Sequence, residues 1–148
     1  MFSSVLEQPE LDSVTAEKPP AILIIDDDDA LADVLSRCLR KQQYDTLVAD
    51  SGELGLSKAR SEHPALVVLD LGLPDTDGFA VCEELADSSD TCTIPVIILS
   101  GMERPDMLRR CRAVGCYYFV RKPYDPNALL TLIRQAIRDT AAWGESDR

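Results

Sequence analysis

Side chains able to act as nucleophile, metal ligand or charge clamp stand directly behind short apolar runs. Asp26 and Asp27 follow Ala21–Ile25, Asp70 follows Leu66–Leu69, Ser100 follows Pro95–Leu99, and Lys122 comes just after Tyr118–Val120. Three carboxylates gathered in one place repel each other and cannot all stay ionised without a counter-charge. A hard divalent cation is the usual remedy. Mg2+ is the natural candidate, because it takes one or two carboxylates together with waters and a phosphoryl oxygen. Lys122 adds a point positive charge and Ser100 a hydroxyl donor. Cation, ammonium and hydroxyl around a central carboxylate would stabilise a transferring phosphoryl group. The carboxylate would then be the nucleophile.

What must position these groups is an alternation of two hydrophobic periods. Ala21–Ile25, Thr46–Ala49, Leu66–Leu69, Pro95–Leu99 and Tyr118–Val120 read as short strands, the most continuously apolar of them buried on both faces. Between them apolar residues recur at helical spacing. The first set is Leu31, Val34, Leu35, Cys38 and Leu39, and the second Leu54, Leu56 and Ala59, ending near His63-Pro64. Phe79, Cys82, Leu85 and Ala86 form the third, and Met107, Leu108, Cys111 and Val114 the fourth, stopped by Gly115. Asp125-Pro126 supplies an N-cap and a first-turn proline to a last helix that carries Leu129, Leu132, Ile133, Ala136 and Ile137 inward. Strands and helices in this order predict an α/β sandwich around a parallel sheet, with right-handed crossovers. Ligands of such sheets sit outside the carboxyl ends of the strands. The candidate residues all stand at those ends.

The chain has 148 residues, of which 45% are hydrophobic, enough for one domain with a sizeable core. No apolar run approaches the roughly 20 residues of a membrane span. The opening "MFSSVLEQPELDSVTAEKPP" has neither a basic nor an apolar segment of a signal peptide, so a cytoplasmic protein is expected. Residues 1–20 read as a mobile acidic leader, 21–140 as the folded domain and 141–148 as a tail. A net charge of -11 argues against direct contact with nucleic acid or an anionic membrane. Cys38, Cys82, Cys92, Cys111 and Cys116 form no zinc spacing, and reduced thiols are expected.

"ILIIDDDDALADVL", "VVLDLGLPDTDGF", "VIILSG" and "YFVRKPYDP" resemble the four motif stretches of the response regulator receiver domain of two-component signalling. The likeness runs from about Ala21 to Thr140. It implies a flavodoxin-like (βα)5 fold with strand order 2-1-3-4-5. It makes Asp70 the phosphoacceptor, Asp27 a direct Mg2+ ligand, Asp26 a ligand through water, and the backbone carbonyl of Gly72 a further ligand. Ser100 becomes the hydroxyl switch, Phe119 the aromatic that changes rotamer, and Lys122 the phosphoryl-binding lysine, with Pro123 cis behind it. The implied partners are a sensor histidine kinase or histidine phosphotransfer protein upstream, and a protein target or an output domain downstream. Gly72 and Met102 occupy the positions that in this family orient or exclude the hydrolytic water.

Other readings compete. Asp28 and Asp29 suit a helix cap, and Asp75 and Asp77 suit turn and cap positions. His63 reads as a solvated residue at a helix end. An aspartate-nucleophile phosphatase of the haloacid dehalogenase type would use Asp26 and Asp28, but it needs a later acidic strand end and leaves Asp70 unexplained. A third reading is an interaction module that works without phosphorylation, against which the complete Asp26, Asp27, Asp70, Ser100 and Lys122 set speaks. The face formed by the fourth helix, fifth strand and fifth helix carries Arg109, Arg110, Arg112 and Arg121, and is either a solvated basic face or a docking site for an acidic partner.

Overall fold

The computed structural model describes residues 18–101 and 105–146, with side chains as far as residue 141. The leader proposed for residues 1–20 therefore lies almost wholly outside the described residues, as does Met102. The elements alternate strictly: β1 (Ala21–Ile25), α1 (Asp29–Lys41), β2 (Asp45–Ala49), α2 (Gly52–Glu62), β3 (Leu66–Asp70), α3 (Gly78–Asp87), β4 (Val96–Ser100), α4 (Met107–Val114), β5 (Tyr118–Arg121) and α5 (Pro126–Ser146). The strands form one parallel sheet in the order β2-β1-β3-β4-β5. This is the flavodoxin-like fold expected. None of the described helices is long and apolar enough to cross a membrane.

β3 and β4 run one residue further than the apolar runs indicate, so Asp70 and Ser100 are the last residues of their strands. The sheet ladder itself therefore fixes both backbones. β4 starts after Pro95, which has no N–H but still accepts from Val67 N–H through its carbonyl at 3.0 Å.

Each sheet face has its own core. Leu23, Ile25, Val67, Leu69, Val96 and Ile98 pack under α2, α3 and α4, whose Ala59, Phe79, Val81, Leu85, Met107 and Cys111 close that layer. Ile22, Ile24, Leu66, Val68, Ile97 and Leu99 face α1 and α5, which contribute Leu35, Leu39, Leu129 and Ile133. A fully buried Leu or Ile here is worth about 1.5–3 kcal/mol. Gly55 lets α2 lie against β1, since a Cβ at that position would run into the Ile25 side chain.

The faces the helices bury are narrower than their apolar stripes. α1 turns Ala32, Leu35, Ser36 and Leu39 to the sheet and leaves Leu31 and Val34 exposed. Leu54, Ala86 and Leu108, all expected inward, are exposed too, while Gly55, Val81 and Leu130 are buried in their helices. A sequence stripe gives the centre of the buried arc, but the depth of contact with the sheet sets its width. α5 also runs to Ser146, through most of the stretch predicted as a tail. All five cysteines are free thiols.

Asp28 caps α1 by accepting from Leu31 N–H at 3.1 Å, and Asp77 caps α3 by accepting from Phe79 N–H at 3.0 Å, as their types suggest. Asp75 does more than turn a loop. It accepts from Gly52 N–H at 2.8 Å and Glu53 N–H at 3.1 Å, so it caps α2 from across the chain while Ser51 takes Leu54 N–H. Those hydrogen bonds hold its carboxyl below the usual range. His63 closes α2 in the left-handed region, φ 49°, and is exposed as expected.

Candidate functional site

Strand register decides which side chains meet. Along β1, β3 and β5 the alternation that points Ile24, Val68 and Val120 toward α1 and α5 carries on to Asp26, Asp70 and Lys122. The opposite parity points Ile98 toward α2–α4 and carries on to Ser100, while Phe119 pairs with Ile98 and packs on that same side. Two carboxylates and the ammonium therefore share one register, and the hydroxyl and the aromatic share the other.

The strand ends are tied together by backbone. Asp26 N–H donates to Ala49 carbonyl at 3.0 Å, Leu71 N–H to Leu99 carbonyl at 3.1 Å, and Lys122 N–H to Ser100 carbonyl at 2.9 Å. The Lys122–Pro123 peptide is cis.

Within this frame Lys122 Nζ lies 3.1 Å from Asp70 Oδ2 and 3.7 Å from Asp26 Oδ2. The other oxygen of Asp70 accepts from Gly72 N–H at 3.2 Å, and Asp26 Oδ1 accepts from Asp28 N–H at 3.0 Å. One carboxylate oxygen each from Asp26, Asp27 and Asp70 lie within 4.8 Å of one another. Asp26 and Asp70 are buried, and Asp27 is exposed at the rim. Ser100 is buried, and Phe119 is half-buried.

Three carboxylates face one ammonium, and the electrostatics record the shortfall. Burial pushes the Asp26 carboxyl from 3.8 up to about 6; the Asp28 N–H opposes this, and the charge of Asp70 adds to it. For Lys122 burial pulls downward, but the hydrogen bond to Asp70 and the charges of Asp26 and Asp70 outweigh it, and its pKa is raised. Lys122 thus stays charged at neutral pH, and negative charge is left over. The donor set is all oxygen with an open side at Asp27, which suits a hard divalent cation that keeps its waters.

The sequence-predicted residues Asp26, Asp27, Asp70 and Lys122 are brought together, and Ser100 closes the adjoining strand end. Asp28 is not part of the cluster. Its carboxylate is spent on α1, so the Asp26–Asp28 pairing required by an aspartate-nucleophile phosphatase is not formed. Sequence reasoning missed the groove beside the site, about 390 Å3, lined by Leu31, Val34, Cys38, Pro123, Tyr124 and Pro126, with Lys122 at its edge. The signal lay in the excess width of the α1 stripe, which is where Leu31 and Val34 went.

The family model for the response regulator receiver domain matches residues 22–134. A probable transcriptional regulator, ycf27, of Porphyridium aerugineum is 37% identical over 117 residues, which are 79% of this chain and 48% of that protein. The DNA-binding dual master transcriptional regulator RpaA of Synechocystis is 36% identical over 121 residues, 82% of this chain and 50% of that protein. The chain thus spans about half the length of these relatives. A CheY-like receiver domain protein from Methanospirillum hungatei superposes with a TM-score of 0.79 at 25% identity, covering 84% of this chain and 98% of that one.

Proposed function

This chain belongs to the response regulator receiver domain family, and from that membership we propose that Asp70 accepts a phosphoryl group and that its phosphorylation switches a protein-binding surface. The observation that carries this reading is the convergence of Asp70 with Asp26, Asp27 and Lys122 at the carboxyl end of the sheet. One carboxylate oxygen of Asp70 attacks the phosphorus of a phosphohistidine or a small acyl phosphate. The bond to the donor breaks, and the donor keeps the electron pair. Lys122 then balances charge on the phosphoryl oxygens from the point where it now holds Asp70 Oδ2. Bound Mg2+ would supply the remaining positive charge, with Asp27, Asp70 and the Gly72 carbonyl as ligands and Asp26 held through water.

Phosphorylation sets dianionic oxygens where one carboxylate oxygen stood. Ser100, at the end of the adjoining strand β4, is the hydroxyl that would turn to answer them, and Phe119, on the same sheet face as Ser100, would follow into the space that Ser100 leaves. Because packed interiors favour discrete arrangements, this small shift selects between two shapes of the α4–β5–α5 face.

The phosphodonor is a sensor histidine kinase or a histidine phosphotransfer protein of a cytoplasmic phosphorelay. Lys122 borders both the groove and the site, so a donor seated over Leu31 and Val34 lies beside Asp70. The output is a protein target or an attached output domain. DNA binding, which the name of the Synechocystis relative records, is assigned to none of these residues, since a net charge of -11 opposes approach to the polyanionic DNA backbone.

Beryllofluoride with Mg2+ tests the reading. Saturable NMR shifts should appear at Asp70, Ser100 and Phe119, with the Phe119 ring becoming more buried. The absence of any saturable shift would overturn it.

A further inference from the structure

The loop between Asp70 and α3 is fastened at three places. Gly72 N–H holds it to Asp70, and Asp75 holds it to the start of α2. The third fastening reaches α4. Arg110, in the first turn of α4, places a guanidinium nitrogen 3.2 Å from Asp77 Oδ2 and stacks its guanidinium carbon 4.1 Å above the centre of the Phe79 ring. Asp77 uses its two oxygens differently. Oδ1 caps α3 through Phe79 N–H, and Oδ2 holds Arg110. The carboxylate, the ring and the guanidinium form one three-part contact between the end of the phosphoacceptor loop and α4.

The rest of α4 is lightly held. Only Met107 and Cys111 of this helix are buried, Leu108 is 60% exposed, and Asp106 at its N-cap makes no side-chain capping hydrogen bond among the described residues. Between the loop and α4, beside Arg110, lies a cavity of about 420 Å3 whose lining includes Leu71, Phe79 and Met107, so Arg110 spans a gap there rather than a packed interface. A planar guanidinium that stacks and pairs at once fixes direction as well as distance, which a lysine cannot do. Phe79 is buried in the core whereas the Arg110 side chain is about a third exposed, so Arg110 is the part of the contact that can leave without opening the core.

The geometry points to Arg110 as a positioning residue, a latch that holds α4 against the phosphoacceptor loop in the unphosphorylated protein and whose release accompanies the switch. This rests on the reading of Asp70 as phosphoacceptor. A ligand shifts such an equilibrium by its preference for one state, and weakening a contact made only in the resting state lowers the cost of leaving it.

The test compares wild type, Arg110→Gln and Arg110→Lys by amide hydrogen exchange without ligand and by titration with beryllofluoride and Mg2+. A partly exposed ion pair plus one cation–π contact predicts about threefold to tenfold faster exchange in α4 for Arg110→Gln, with α1 and α5 unchanged. Beryllofluoride should bind that variant tighter by a similar factor, and Arg110→Lys should fall between. Unchanged α4 exchange in Arg110→Gln would overturn the latch. Faster exchange with unchanged or weaker beryllofluoride binding would leave only a structural clamp and overturn the positioning role. In both cases wild type still binds beryllofluoride; if wild type itself does not bind, it is the assignment of Asp70 that fails, and the coupling falls with it.

Discussion

Replacing Asp26 with asparagine should stabilise the cation-free protein at neutral pH, and the gain should vanish in acid. Asp26 has its carboxyl raised from 3.8 to about 6 in the folded state, mainly by burial. Folding therefore favours the protonated form. That advantage is fully present below about pH 4, is lost as pH rises through 6, and leaves the ionised side chain as a standing cost above it. Two pKa units correspond to about 3 kcal/mol. The side chain is only 6% exposed, but it adjoins exposed Asp27, and the effective dielectric of such sites is well above that of a dry interior, which lowers the cost below that figure. Asparagine also gives up the attraction to Lys122 at 3.7 Å while keeping an oxygen for Asp28 N–H at 3.0 Å. The net gain expected at pH 7.5 is therefore about 1–2 kcal/mol, or about 2–8 °C in Tm. Urea unfolding of both proteins with chelator present, from pH 4 to pH 7.5, measures the difference while common titrations cancel. An Asp26→Asn protein that is less stable at pH 7.5, or a difference that does not change with pH, would refute the reasoning.

Mg2+ should raise the Tm of wild type by linkage at micromolar to millimolar concentrations, and Asp27→Ala should abolish that rise, as followed by thermal melts across a Mg2+ series. An unchanged Mg2+ response in Asp27→Ala would remove Asp27 from the site. Gly115→Ala should cost about 1–2 kcal/mol, because φ is +78° while nothing lies within 4 Å of the added Cβ, so the penalty is conformational alone and is read by urea unfolding. Gly72→Asn combined with Met102→Glu should speed phosphoryl loss at least about tenfold, a barrier change of roughly 1.4 kcal/mol, by supplying polar groups to align water. Decay no faster than wild type, measured by intact mass over time, would show that these positions do not set the lifetime.

The placement of the candidate site residues was legible because each stands at or just past a strand end, and strand ends can be read from where an aliphatic run stops. Asp26, Asp70, Ser100 and Lys122 needed no tertiary information beyond the sheet. Helix contacts were less legible. Leu31, Val34 and Leu108 carry the same hydrophobic signal as Leu35 and Cys111, and only the seating of each helix on the sheet separates buried from exposed. Asp75 and Arg110 were invisible in their working roles for another reason. Their partners are 23 and 33 residues away in sequence, on elements whose mutual approach no local pattern encodes. The continuation of α5 past Thr140 was missed because Gly144 and the polar residues after it read as a helix stop, although Ala141 and Ala142 are strong helix formers.

The central claim is that Asp70 is the residue that accepts the phosphoryl group, and intact mass spectrometry tests it most directly. Wild type and Asp70→Asn are incubated with acetyl phosphate and Mg2+, and wild type again with chelator in place of Mg2+. Wild type should gain the mass of one phosphoryl group only when Mg2+ is present, while Asp70→Asn, with nearly the same volume and an unchanged fold by circular dichroism, should gain none. A folded Asp70→Asn protein that still gains one phosphoryl mass would contradict the assignment.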